Sequence, residues 1–207
     1  MIGIEQARAW YQGADAAHDF DHVLRVLRLA ERIGEAEGAN MAIVRAAALL
    51  HDVGRAEAGG GDHAAASAAR ARELLIGHPY EQVEAVAQAI SAHRFRTGPE
   101  PQTLEAQVLF DADKLDAIGA VGVARVFARG GASGQRLWAA REDISLERWL
   151  AEGDDLSQHT PVHEYVVKLV RLKDQLYTTA GRAIAEDRHN FLVAFFERFD
   201  AEVRGQL

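Results

Sequence analysis

The chain has 207 residues, room for one large domain or two small ones with a real core. Lys and Arg total 23 against 31 Asp and Glu, and this net charge of −8 argues against a protein that grips DNA or RNA through basic surface, though not against one with a small anionic substrate. The absence of cysteine excludes disulfides, zinc fingers, iron–sulfur clusters and thiol nucleophiles, so any metal must rest on oxygen ligands and the nine histidines.

The opening MIGIEQARAW lacks a basic region followed by an apolar stretch, and no run approaches the roughly 18 apolar residues of a membrane span; a cytoplasmic protein off the membrane is expected. Helical periodicity then runs nearly everywhere, predicting an all-α fold. Phe20 to about Glu37 places Val23, Leu27 and Ala30 on one face, and NMAIVRAAALLHDVG from Asn40 is apolar almost all round, as a buried central helix would be. Gly54 stands where a C-cap is expected. After the loop Gly59–Gly61, Asp62 is a plausible N-cap for a helix from His63 to about Ile76. Pro79 opens another helix to about His93, and RTGPEPQ is a surface loop. Helices follow over about Thr103–Leu115 and Ala117–Ala128. The stretch 129–160 reads as a loop or lid, with a short helix near Leu146–Leu150 and an acidic patch at Glu152, Asp154 and Asp155. Two closing helices are expected at about Val162–Tyr177 and Gly181–Glu202. Residues 1–207 thus read as a single all-α domain, with a core at about 18–130 and C-terminal helices at about 162–206.

The strongest chemical signal is HDVGR at 51–55, at the end of a helix with no polar face. A buried imidazole and an ionised carboxylate are costly there unless compensated, by an arginine or by a divalent cation. The surroundings favour the cation. HDFDHVLRV puts Asp19, His22 and Arg25 along one side of a helix, and DADKLDAIGA offers Asp111, Asp113 and Asp116. One aspartate of that cluster completes a His, His, Asp, Asp set, suited to Mn²⁺, Fe²⁺, Co²⁺, Ni²⁺ or Zn²⁺ and less typical of Mg²⁺ alone.

His22, His51-Asp52 and a late Asp in an A-D-[RK]-L context resemble the HD superfamily of metal-dependent phosphohydrolases. AAALLHDVGR, AISAHRF, LFDADKLDAIGAVGVARVFARGG and TTAGRAIAEDRHNFLVAFFERF extend the resemblance along nearly the whole chain, to the bacterial stand-alone YedJ-type HD domain proteins. Carried over residue by residue, the resemblance makes His22, His51, Asp52 and Asp113 the metal ligands. Asp113 is preferred to Asp111 because the family ligand follows Ala and precedes Arg/Lys-Leu. Asp111 is then expected behind a ligand imidazole, with Asp116 and Asp19 as further catalytic or supporting carboxylates. His63 and His93 match histidines that bind a second ion in two-metal members, with Asp52 bridging; otherwise both line the pocket. Arg25, Arg55, Arg94, Arg96 and Lys114 are candidate phosphate contacts, each with a surface salt bridge as its alternative.

The C-terminal third signals less. HEYVVKLVRLKDQL is similar to a family segment near the active-site mouth, suggesting His163 and Lys168 as substrate contacts. Phe191, Leu192, Phe195, Phe196 and Phe199 form a stripe typical of core or dimer contact. ARGGASG lacks the strand-to-helix context of a phosphate loop, and Arg129 replaces the family's usual aromatic. The resemblance implies hydrolysis of a nucleotide phosphoester or phosphoanhydride by metal-activated water, first as a nucleoside triphosphate pyrophosphohydrolase. A nucleoside monophosphate phosphatase, a non-catalytic nucleotide sensor and a helical interaction module are the alternatives. The expected partner is a small nucleotide or phosphoester, with no nucleic-acid polymer, and a homodimer stays open.

Overall fold

The computed structural model describes residues 1–11, 20–59, 61–94, 98–145 and 159–207. Among them the regular structure is helical with no strand, as the periodicity predicts. Asp19, Arg96 and residues 146–158, which include the expected short helix and acidic patch, lie outside the described residues. The chain groups into two compact units, Met1–Lys114 with Leu176–Gly181, and Leu115–Gln175 with Arg182–Leu207.

The first unit begins with a short helix absent from the sequence reading, α1 (Ile4–Arg8). Next comes α2 (Phe20–Glu37), which buries Phe20, His22, Val23, Val26, Leu27, Leu29, Ala30 and Ile33. Gly38, at φ 75°, ends it, and the Ala39 N–H returns to Gly34 O at 2.9 Å. Asn40 caps α3 (Met41–Leu50) by accepting from the Ala42 N–H at 3.1 Å. Val44, Leu49 and Leu50 are buried in α3, each worth roughly 1.5–3 kcal/mol of apolar transfer. α4 (His63–Leu74) is capped by Asp62, which accepts from the N–H groups of Ala64 and Ala65. It packs on α5 (Tyr80–Ser91); α4 buries Ala64, Ala68 and Ala71, and α5 buries Val83, Val86, Ala87 and Ile90. α6 (Leu104–Leu115) supplies buried Val108, Leu109 and Phe110.

The expectation that Gly54 is a helix C-cap is corrected. α3 stops at Leu50, His51 takes the cap position, and residues 51–59 form turns. Gly54 is needed for close approach: a Cβ there would stand 2.6 Å from both Ala66 C and Ser67 N in the α4 backbone. Its N–H donates to Ser67 Oγ at 3.0 Å, pinning the turn to α4.

In the second unit, α7 (Gly119–Ala132) runs through Gly130 and Gly131 of ARGGASG and ends in a Schellman turn at the third glycine, Gly134. Gln135 N–H donates to Gly130 O at 2.9 Å, Gly134 N–H donates to Gly131 O at 3.1 Å, and Gly134 has φ 65°. These glycines therefore terminate a helix. Pro161 opens α8 (Pro161–Val167) under a Thr160 cap. The single helix predicted over 162–177 breaks at Lys168 (φ −134°, ψ −60°), and Leu169–Gln175 continues as a 3₁₀ helix whose Leu169 and Leu172, three apart, are both buried. The last helix, α9 (Thr179–Val203), carries the phenylalanine stripe. Phe127 packs against Phe195, Phe196 and Phe199, and Tyr165 stacks on Phe196 at 4.1 Å, so Leu192, Phe195, Phe196 and Phe199 face the interior of this unit while Phe191 stays exposed.

Candidate metal centre

Six side chains of the first unit converge. His22 comes from the first turn of α2, His51 and Asp52 from the end of α3, His63 from the start of α4, His93 from just past α5, and Asp113 from the last turn of α6. They form two sets, His22, His51 and Asp113, and Asp52, His63 and His93, with one ligand atom from each residue of a set within 4.8 Å of the others. In the first, His22 Nε2 lies 3.2 Å from His51 Nε2 and 3.4 Å from Asp113 Oδ1. In the second, Asp52 Oδ1 lies 3.7 Å from His63 Nε2 and 3.8 Å from His93 Nε2. Asp52 Oδ2 faces the first set, 3.9 Å from His22 Nε2 and 3.8 Å from His51 Nε2. One carboxylate thus addresses both groups of imidazoles.

Backbone carbonyls fix the rings. His51 Nδ1 donates to Ala48 O at 2.8 Å and His93 Nδ1 to Ile90 O at 2.6 Å, so each Nε2 presents a lone pair. Lone pairs of buried imidazoles turned toward one another and toward carboxylate oxygens repel unless a cation lies between them. The donor set, nitrogen and hard oxygen without sulfur, fits a divalent ion.

Charge reinforces this arrangement. Burial pushes His51 below its ordinary value, His93 down to about 3 and His63 down to about 4, keeping the rings neutral and ligating at neutral pH. For Asp113 burial acts upward, but the Lys114 ammonium and then His22 outweigh it and hold the carboxyl well below the usual range. Asp52 is likewise held low against its burial, by His51, Arg55 and His93. Arg55 forks onto Asp52, Nε to Oδ2 at 2.9 Å and Nη2 to Oδ1 at 3.0 Å, leaving each oxygen a further lone pair toward the histidines. The arginine partner weighed against a metal is therefore present, and its fork still leaves lone pairs of the same carboxylate toward the histidines.

The remaining expected site residues divide. Lys114 Nζ reaches Asp113 Oδ2 at 2.5 Å and lies 5.2 Å from the centre of the Phe110 ring. Arg94 pairs with Asp62 at 3.2 Å, and Arg25 is half-buried on α2. Asp111, expected behind an imidazole, accepts from the Tyr177 N–H (2.9 Å), the Thr178 N–H (2.7 Å) and the Thr178 hydroxyl (2.6 Å), tying residues 176–181 to α6. Asp116 belongs to the second unit, where Arg125 donates to its Oδ2 at 2.7 Å. His163 and Lys168 are also in that unit, His163 bonded to Thr160 Oγ1 at 3.0 Å and stacked on His159, Lys168 paired with Glu164 at 2.7 Å. Sequence reasoning missed Tyr11, whose hydroxyl donates to Leu49 O at 2.9 Å beside the ligand turn, and Ser67 beneath Gly54. No local pattern marks either, since their partners are 38 and 13 residues away.

Such a cluster of imidazole and carboxylate on an all-α frame defines a metal-dependent phosphohydrolase of the HD class. The chain belongs to the HD domain family, whose model matches residues 19–118, the stretch holding all six side chains. A divalent ion is its cofactor. Among relatives, the Bacillus subtilis protein YpgQ, itself uncharacterized, is 34% identical over 209 residues, spanning 97% of this chain and 94% of its own. The crystal structure of Bacillus subtilis YpgQ in complex with ADP matches with TM-score 0.76 at 30% identity, covering 98% of this chain and 99% of that one. An HD-superfamily hydrolase from Bacillus thuringiensis matches with TM-score 0.72 at 29% identity, covering 97% and 94%. No described helix is long and apolar enough to cross a membrane.

Proposed function

We propose that this chain hydrolyses nucleoside triphosphates to the monophosphate and pyrophosphate, with His22, His51, Asp52 and Asp113 as metal ligands and His63 and His93 completing a second position across Asp52. The reading is carried by one observation, two ligand sets sharing the Asp52 carboxylate with Arg55 and Lys114 directly beside them. Paired positions suit the attacking and leaving oxygens of a phosphoanhydride, and the adjacent cations suit its charge. The ADP held by YpgQ supports a nucleotide ligand.

A divalent ion bound there supplies Lewis acidity, lowering the pKa of water and polarising a phosphoryl oxygen. Water, giving up its proton to solvent, attacks the α-phosphorus; the bond from that phosphorus to the α–β bridging oxygen breaks with its electron pair on the oxygen, and pyrophosphate leaves. Asp52 orients both halves of the site through its two oxygens. Arg55 and Lys114 neutralise charge on the non-bridging oxygens as it builds in the transition state.

The test is a panel of NTPs, dNTPs and NMPs, with metal-stripped protein given Mn²⁺, Co²⁺, Ni²⁺ or Mg²⁺ and Asp52→Ala as control. Pyrophosphate release dependent on both metal and Asp52 supports the reading. Phosphate released from monophosphates alone replaces it with a phosphatase, and tight metal binding without turnover across the panel rejects it for a sensor.

A further inference from the structure

We propose that Tyr177 is the residue on which the nucleobase stacks, making it a specificity determinant of the site; this rests on the nucleotide reading above. Phe110, Asp113 and Lys114 are spaced i, i+3 and i+4, so they share one face of α6. Lys114 links them in space, with its Nζ on Asp113 Oδ2 and 5.2 Å from the Phe110 centroid. Tyr177 continues the line, its ring edge-to-face with Phe110 at 5.2 Å and 86°. The row therefore runs from the carboxylate of the proposed metal site through a cation, which suits a phosphate, to an aromatic ring, which suits a base, in the order a nucleotide presents them. Phe110 is 5% exposed and serves as backing, whereas the Tyr177 ring is partly open to solvent.

The ring is also held in place. Tyr177 and Thr178 give their N–H groups to the two oxygens of Asp111, which is itself fully buried, and the Thr178 hydroxyl adds a third bond. Gly181 completes the cradle, since a Cβ there would fall 2.5 Å from Asp111 Oδ2. A rigid ring loses little freedom when a base lies on it, and every base offers a π-face. Burial, with Glu100 and Asp111 nearby, pushes the Tyr177 hydroxyl above its ordinary value, so the phenol stays neutral. Asp111 is here a positioning residue.

The experiment compares wild type, Tyr177→Ala and Tyr177→Phe, all metal-loaded. It reads kcat and KM for a purine and a pyrimidine nucleoside triphosphate, and the inhibition constant of inorganic tripolyphosphate, which has no base. Tyr177→Ala is expected to raise KM about tenfold for the purine and less for the pyrimidine. It should leave kcat and the tripolyphosphate constant within about twofold, and Tyr177→Phe should restore the wild-type KM. An unchanged KM, or a parallel rise in KM and in the tripolyphosphate constant, overturns the assignment while leaving the proposed activity intact. A wild type inert to every nucleotide overturns that activity and this inference together.

Discussion

Substituting Gly54 by alanine tests how the ligand turn is attached to its frame. The added methyl carbon would sit 2.6 Å from Ala66 C and Ser67 N and 2.9 Å from Ala66 O. All three are backbone atoms inside α4, so no side-chain rotation relieves them. Reaching an ordinary contact of ~3.5 Å requires separating the 51–59 turn from α4 by roughly 0.6–0.9 Å, a shift of the kind that costs ~1–3 kcal/mol in a packed interior. The Gly54 N–H to Ser67 Oγ bond, 3.0 Å long, is stretched by the same movement. For a chain of this length each kcal/mol lowers Tm by about 2–4 °C, so a fall of roughly 2–12 °C is expected. The movement also separates Asp52, two residues before Gly54, from His63 at the head of α4, now 3.7 Å apart. Misplacement on this scale costs about 100-fold in turnover. Calorimetry and steady-state kinetics on Gly54→Ala, with Ser67→Ala as the milder lesion that removes only the hydrogen bond, give the comparison. Wild-type Tm and turnover in Gly54→Ala would refute the close-approach argument.

Asp113→Asn should lose metal and activity, whereas Asp111→Asn should retain metal and lower Tm, because three donors converge on that carboxylate; elemental analysis and melting curves separate the two. His63→Ala and His93→Ala should each lower metal content by one equivalent relative to wild type without emptying the His22, His51 and Asp113 set, as read by elemental analysis after dialysis. Metal-stripped protein should lose stability as pH falls below about 6.5. There the unfolded chain protonates its histidines, while folded His63 stays neutral to about 4 and folded His93 to about 3, so the unfolded state binds more protons. The depressed carboxyls of Asp52 and Asp113 act with the same sign at still lower pH. A Tm flat between pH 6.5 and 4.5 would contradict the neutral-imidazole assignment.

The helices of the first unit were legible because their apolar spacing and caps are local. Asp62, the expected cap, accepts from N–H groups two and three residues on, and α2 buries the face its periodicity marks. The convergence of His22, His51, Asp52 and Asp113 was legible for a related reason, since His51 and Asp52 are adjacent and the carboxylate needs compensation wherever the helix is buried. What escaped is set by distant partners. Gly54 looks like a C-cap until α4 is placed against it. Asp111 looks like a companion of Asp113, two positions away, until residues 177 and 178 are folded back onto it. The break at Lys168 has the same character, because the pattern of Val162, Tyr165, Leu169 and Leu172 fits an α-helix as well as the helix and 3₁₀ turn that form.

That contrast has a chemical consequence for α6. On an α-helix, residues i and i+2 point about 200° apart, so Asp111 and Asp113 cannot serve one ion from the same helix without distortion. The chain uses the divergence: Asp113 faces His22, and Asp111 faces the backbone of 176–181. The two carboxylates therefore have separate tasks on a single helix turn, Asp113 beside the histidines and Asp111 under the backbone of Tyr177. Replacing Asp111 should then alter nucleotide KM while sparing the metal, a combination that neither a ligand nor a remote surface carboxylate would produce.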